Sequence, residues 1–133
     1  MKEKWLNAYM DTAERFAQLS TAKRLQCGAI LVKDDRIISI GYNGTPAGWD
    51  NVCEEDNVTK PEVLHAERNA LDKLTCSSES SIGAVMFSTH SPCFECAKSI
   101  YNSKIKILYY KTEYRDTSGI DFLSKCGVEV IKL

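Results

Sequence analysis

The chain has 133 residues, 44% of them hydrophobic, and a formal net charge of −1, which is enough apolar content for one domain whose core needs no disulfide staples. No apolar stretch has membrane-spanning length, and the charged start Met1-Lys2-Glu3-Lys4 leads into an amphipathic segment unlike a secretory signal, so a soluble, cytoplasmic protein with no membrane partner is expected. The charges are spread without a basic block, which argues against a nucleic-acid partner, and the six cysteines show no framework spacing.

Trp5, Tyr9, Ala13, Phe16 and Ala17 recur at near-helical spacing and predict an opening helix that ends around Ser20 with these residues in the core. Residues 29–32, the turn Lys33-Asp34-Asp35-Arg36 and residues 37–42 predict a hairpin, and Ile37, Ile38 and Ile40 make its second strand one expected to be well buried. After a loop from Asn43 to Lys60, apolar Ala66, Ala70, Leu71 and Leu74 predict a helix with His65 in its first turn. A strand at 84–89 follows, then a helix for which Ser91 is the expected N-cap and Pro92 the first helical residue. A strand at 105–110, a helix at 118–125 stopped by Gly127 as its C′ residue, and a strand at 128–132 complete the chain. The order α-β-β-α-β-α-β-α-β predicts an α/β fold, a mostly parallel sheet covered on both faces with a hairpin at its beginning.

Two short stretches carry the chemistry. His65-Ala66-Glu67 and Pro92-Cys93-Phe94-Glu95-Cys96 are separated by 24 residues. One imidazole and two thiolates are good zinc ligands, and a set of three protein ligands leaves a coordination position for water, as a hydrolytic site requires. Cys93 and Cys96, three apart, share one face of their helix near its positive end. Two thiolates cancel the charge of Zn²⁺, so the bound water is less acidified than in an all-histidine site and needs a neighbouring base. Glu67, close to His65 but pointing elsewhere, is the candidate. Taken singly, C-x-x-C also reads as a redox pair or half a structural site, and H-x-E as a salt-bridged helix start. Taken jointly they read as catalytic zinc. The remaining cysteines, Cys27, Cys53, Cys76 and Cys126, read as small apolar residues.

This pattern resembles the cytidine and deoxycytidylate deaminase superfamily. The resemblance implies a three-layer α/β/α cytidine deaminase-like fold with a mixed five-stranded sheet, and the helix before the last strand implies that the last two strands are parallel. Gly41-Tyr42-Asn43-Gly44-Thr45-Pro46-Ala47-Gly48, together with His65 to Ala70 and Ser91-Pro92-Cys93, is similar to the deoxycytidylate (dCMP) deaminase family almost letter for letter, and the likeness runs from about Arg24 to the end of the chain. It implies hydrolytic deamination of dCMP to dUMP and ammonia, supplying dUMP for dTTP synthesis, with Glu67 taking a proton from the attacking water and passing protons to N3 and the departing amine. By the same resemblance Asn43 would hydrogen-bond the deoxyribose, glycines of the loop would let backbone approach a ligand, backbone near Ala66 or Ser91 would orient the amine, and Tyr114 would stack on or bond to the nucleotide. Arg24 is the first candidate for the 5′-phosphate, ahead of Lys23 and Arg115.

The family resemblance further implies a homo-oligomer, with a hexamer favoured, activated by dCTP and inhibited by dTTP near Asn43, Gly44, Pro46 and Gly48, with Mg²⁺ accompanying a triphosphate effector. The second zinc site of some relatives is not expected, because only eleven residues separate Cys53 from His65 and nothing in the spacing brings Cys27, Cys53 and His90 together. Other readings stay open: a dual dCMP/dCTP deaminase, a tRNA adenosine deaminase acting on an extruded base, and a zinc-binding interaction module, which would need a fourth protein ligand or a lost glutamate.

Overall fold

A computed structural model describes residues 1–133. The elements are α1 (Glu3–Ala17), β1 (Gly28–Lys33), β2 (Arg36–Tyr42), β3 (Glu54–Glu55), β4 (Val58–Thr59), α2 (Ala66–Lys73) continued by a 3₁₀ turn (Leu74–Cys76), β5 (Val85–His90), α3 (Phe94–Asn102), β6 (Ile107–Thr112), α4 (Ser118–Lys125) and β7 (Glu129–Lys132). No helix is long and apolar enough to cross a membrane.

The main sheet has five strands in the order β2-β1-β5-β6-β7. Alternation along each strand sorts the core onto two faces. Ala29, Leu31, Met86, Leu108 and Tyr110 face α2, α3 and α4, joining Ala70, Leu71, Ala97, Ile100 and Leu123 in a 16-residue cluster. Ile30, Val32, Phe87 and Tyr109 face α1, where Tyr9, Met10 and Ala13 complete a cluster of 7. Helices therefore cover both faces, the three-layer arrangement expected.

Strand directions give the mixed five-stranded sheet, its last two strands parallel, that the resemblance implied. β5 pairs parallel with β6, and β6 with β7, but β1 is antiparallel to both β2 and β5. The helical crossover from β2 through α2 to β5 does join two strands that point the same way. Because β1 lies between them, the hydrogen-bonded pairs it makes are antiparallel. The strand order does depart from expectation in one respect: β2 is an edge strand, so Ile37 is exposed and Ile38 and Ile40 are only half-buried. Trp5 also lies outside the core, 47% exposed, while Tyr9, Met10, Ala13 and Ala17 form the buried stripe of α1.

Local chemistry fixes the turns. Asp34 and Asp35 both have positive φ, 52° and 58°, the two-residue turn whose twist suits a hairpin. Asp56 and Asn57 repeat it, at 52° and 63°, between β3 and β4. This second hairpin falls inside the segment read from sequence as a plain loop. At the end of α4, Gly127 has φ +85°, Gly127 N–H donates to Ser124 O (3.1 Å) and Val128 N–H to Leu123 O (3.0 Å), the double bond of a Schellman motif.

Candidate metal centre and catalytic pocket

The N-termini of α2 and α3 converge beside the carboxyl end of β5. His65 is the N-cap residue of α2 and Cys93 that of α3, each with extended backbone. Cys93 takes the capping role expected of Ser91: its Sγ accepts from Cys96 N–H at 3.4 Å. Ser91, 1% exposed, accepts instead from Tyr114 N–H at 2.9 Å, tying the segment after β6 to the segment after β5.

The glycine-rich stretch holds α2 in place. Gly41 lies where a Cβ would come within 2.5 Å of Ala66 O and of Ala70 N, so the absence of a side chain lets helix and strand touch. Gly41 is thus a packing glycine between β2 and α2. Ser39 Oγ donates to Ala70 O (2.6 Å) and Asn69 Nδ2 to Tyr42 O (3.1 Å). Gly44 and Leu64 exchange both backbone hydrogen bonds, at 3.1 and 2.8 Å, immediately before His65.

The three proposed ligands meet. His65 Nδ1 lies 3.5 Å from Cys93 Sγ and 3.4 Å from Cys96 Sγ, and the ligand atoms of all three fall within 4.8 Å of one another. A tetrahedral zinc with Zn–N near 2.05 Å and Zn–S near 2.3 Å places nitrogen and sulfur about 3.6 Å apart. The donor set and its separations thus fit zinc through Nδ1 and two sulfurs. Among the His, Cys, Asp and Glu side chains, His65, Cys93 and Cys96 are the ones brought together in this way.

Electrostatics follow from packing. Hydrogen bonds from Cys96 and then His65 pull the Cys93 thiol down to about 4, and the Cys93 contact raises His65. Cys96 is pushed up by its neighbour Cys93 and by burial, an opposition that ligation to a cation would relieve. Glu67 is only 5% exposed, and burial raises its carboxyl while the His65 charge opposes the shift. Ser88 Oγ lies 2.8 Å from His90 O and 3.3 Å from Glu67 Oε1. Its single proton serves the shorter bond, which leaves its oxygen able to accept from a protonated Glu67.

His65, Cys93 and Glu67 line a cavity of about 450 Å³, a volume in the range of small-molecule sites. Arg24, Asn43, Ala66 and Tyr114 line it as well, so most of the sequence-predicted substrate residues are brought together. Ser91, Lys23 and Arg115 do not line it. The Asn43 amide is already engaged, Oδ1 accepting from Cys27 N–H (2.8 Å) and Nδ2 donating to Leu25 O (2.7 Å), so it fixes the strap that carries Arg24. Tyr114 stacks on His90 with ring centroids 5.4 Å apart and its hydroxyl meets Cys27 Sγ at 3.3 Å. Burial raises both partners of that pair, Cys27 to about 11, and lowers His90.

Sequence reasoning missed part of the wall. Cys27, read as a small apolar residue, lines the cavity, as do Cys53, Glu54 and Thr59 around the β3–β4 hairpin. The signal was Asp56-Asn57, a two-residue turn pair between short runs that pair as strands. Asn43, Gly44, Pro46 and Gly48 line a second cavity of about 300 Å³ with Tyr42, Asn69 and Lys73, and Asn43 is common to both cavities.

Residues 3–112 match the family model for the cytidine and deoxycytidylate deaminase zinc-binding region. ComE operon protein 2 of Bacillus subtilis is 35% identical over 115 residues, 84% of this chain, and the chain spans 61% of that protein's length. The deoxycytidylate deaminase of Mycobacterium phage D29 is 34% identical over 82% of this chain and 95% of its own. Among solved structures, the dCMP deaminase of the cyanophage S-TIM5, crystallised with dCMP and dUMP, superposes with a TM-score of 0.97 at 52% identity, covering 100% of this chain and 99% of that one.

Proposed function

This chain belongs to the cytidine and deoxycytidylate deaminase family, and from that premise we propose that it hydrolyses dCMP to dUMP and ammonia at the pocket formed by His65, Cys93, Cys96 and Glu67. The observation that carries the reading is a buried carboxylate, Glu67, beside three ligand atoms spaced for tetrahedral zinc, where Glu67, His65 and Cys93 line a nucleotide-sized cavity. The relatives named for dCMP, and the cyanophage enzyme crystallised with dCMP and dUMP, support the choice of base and sugar.

Bound to His65 Nδ1 and the two thiolates, zinc supplies Lewis acidity and a water activated as nucleophile. The chain's own residues do the rest. Glu67 takes one proton from the attacking water and delivers it to N3 of the cytosine. It then carries the second to the exocyclic amine, so that oxygen replaces nitrogen at C4 and ammonia leaves. Its burial suits the task, since a carboxyl raised above its ordinary value takes up a proton more readily than a solvated one. Backbone at Ala66, on the cavity wall, orients the amine. Tyr114, braced by Cys27, His90 and Ser91, offers its ring and hydroxyl to the nucleotide. Arg24, which makes no ion pair within the chain, receives the 5′-phosphate. Asn43 positions Arg24's segment and retains one amide proton for the deoxyribose.

The second cavity supports a regulatory reading: a deoxynucleoside triphosphate, dCTP or dTTP with Mg²⁺, seated by Gly44, Pro46, Gly48 and Lys73 in a homo-oligomer, a hexamer by resemblance. An ultraviolet assay of amine loss from dCMP, deoxycytidine and dCTP by the zinc-loaded chain tests the main proposal. Preference for dCMP is expected. Inactivity on all three with zinc bound overturns it.

A further inference from the structure

The larger cavity contains charges that do not satisfy one another. Arg24 is its one lysine or arginine, and Glu54 and Glu67 are its carboxylates. Arg24 and Glu54 line the same wall, yet neither makes an ion pair. The Glu54 carboxylate is instead seated on backbone: it accepts from Lys23 N–H at 3.1 and 3.2 Å and from Arg24 N–H at 3.3 Å.

Glu54 is also held from behind. It opens β3, whose hairpin is tied down by Lys60 N–H donating to Cys53 O (2.8 Å) and by Thr21 Oγ1 donating to Asn51 O (2.6 Å). The carboxylate is thus a fixed negative charge in the cavity that Arg24, the proposed phosphate seat, also lines. A single phosphate at Arg24 finds a cation. A longer phosphate chain finds no second lysine or arginine in the cavity and meets a carboxylate that already occupies the Lys23 and Arg24 N–H groups.

We propose that Glu54 is a charge selector that confines this cavity to a nucleotide with one phosphate and rejects the triphosphate. The proposal rests on the reading of Arg24 as the phosphate seat and settles what the ring chemistry leaves open, since dCMP and dCTP present the same base. Specificity of this kind comes from repulsion of the wrong ligand as much as from attraction of the right one. Unit charges held about 8–10 Å apart at an effective dielectric near 20 shift an equilibrium by roughly tenfold or more for each added charge.

The test is equilibrium binding of deoxyuridine, dUMP and dUTP, which carry no amine to lose, to the zinc-loaded full chain and its Glu54→Gln variant without Mg²⁺. Glutamine retains a carbonyl oxygen for the Lys23 and Arg24 N–H groups, and thermal unfolding checks that the variant is folded. We expect the unmutated protein to bind dUMP at least about tenfold tighter than dUTP, and Glu54→Gln to shrink that ratio by about tenfold while deoxyuridine stays within about twofold. An unchanged ratio overturns the proposal. Equal weakening of all three ligands also overturns it, leaving Glu54 a tether for the hairpin. If the unmutated protein binds dUMP no tighter than deoxyuridine, the Arg24 reading fails first and takes the selector with it, and that result is visible without any substitution. The second cavity contains no part of Glu54, so a change that follows this substitution belongs to the first.

Discussion

Gly41→Ala tests whether the glycine-rich stretch serves the helix or the ligand. A Cβ at Gly41 would stand 2.5 Å from both Ala66 O and Ala70 N, and neither is the end of a flexible side chain. To reach ordinary contact, α2 must retreat from β2 by nearly an ångström, against the Ser39–Ala70 and Asn69–Tyr42 hydrogen bonds that hold it. Gly41 does not have positive φ, so alanine there would otherwise stabilise by about 0.4–1 kcal/mol through the unfolded chain. Overpacking costs about 1–3 kcal/mol, so a net loss of about 1–2 kcal/mol is expected. With an unfolding entropy of about 2.1 cal/mol/K per residue over this chain length, that lowers the melting temperature by roughly 4–7 °C. Because α2 carries His65 and Glu67 at its start, the same shift displaces the base and costs on the order of a hundredfold in kcat. Gly44→Ala is the internal control: nothing lies within 4 Å of its Cβ, so the metal-free protein is expected unchanged or slightly more stable. Denaturant unfolding, with kcat read in parallel, decides the matter. Gly41→Ala with wild-type stability and turnover would refute the packing argument.

Glu67→Gln is expected to keep a full zinc load by elemental analysis while turnover falls by about 10²–10⁴-fold, the range for removal of a positioned acid–base group; substantial remaining activity would remove Glu67 from its role. In metal-free protein the same substitution reports on burial. Glu67 has its carboxyl raised above its ordinary 4.5, so the native state binds more protons than the unfolded chain above that pH, and stability falls as pH rises through the folded value. The gap between Glu67→Gln and wild type should therefore widen in favour of the variant as pH climbs from 4.5, and a pH-independent gap would contradict it. Cys96→Ser removes a ligand 3.4 Å from His65 Nδ1 and is expected to lose zinc, measured by chelator competition; unchanged affinity would sink the ligand set. Arg24→Ala is expected to raise KM for dCMP by about 10- to 100-fold, the effect of a lost hydrogen bond to a charged group, with deoxycytidine unaffected; equal loss on both substrates would place Arg24 in the fold and not in phosphate binding.

The metal ligands were legible in sequence because their chemistry is local. His65 and Glu67 lie at one helix start and Cys93 and Cys96 at another, so two short motifs contain both halves of the site. Gly127 was legible for the same reason: the Schellman bonds reach only from Gly127 and Val128 back to Ser124 and Leu123. Strand order was not, because β1 intervenes between β2 and β5 through pairings that no spacing along the chain encodes. That insertion made β2 an edge strand and exposed Ile37, whose apolar character alone had suggested burial.

The pocket wall shows the same division more sharply. Cys27 reads as a small apolar residue at a strand start, and its burial is that of one. Only the return of the chain after β6 sets Tyr114 against it, 87 residues on. Ser91 reads as a helix cap and has the right hydroxyl for it, but Cys93 takes that bond, and the Ser91 oxygen is left to accept Tyr114 N–H. The residues that would hold zinc are thus fixed by two helix starts, whereas those that shape the pocket are fixed by where β1 begins beside the ends of β5 and β6. A substitution in the first group should be felt in metal content whatever the substrate. One in the second should be felt in which nucleotide is taken while the metal stays bound.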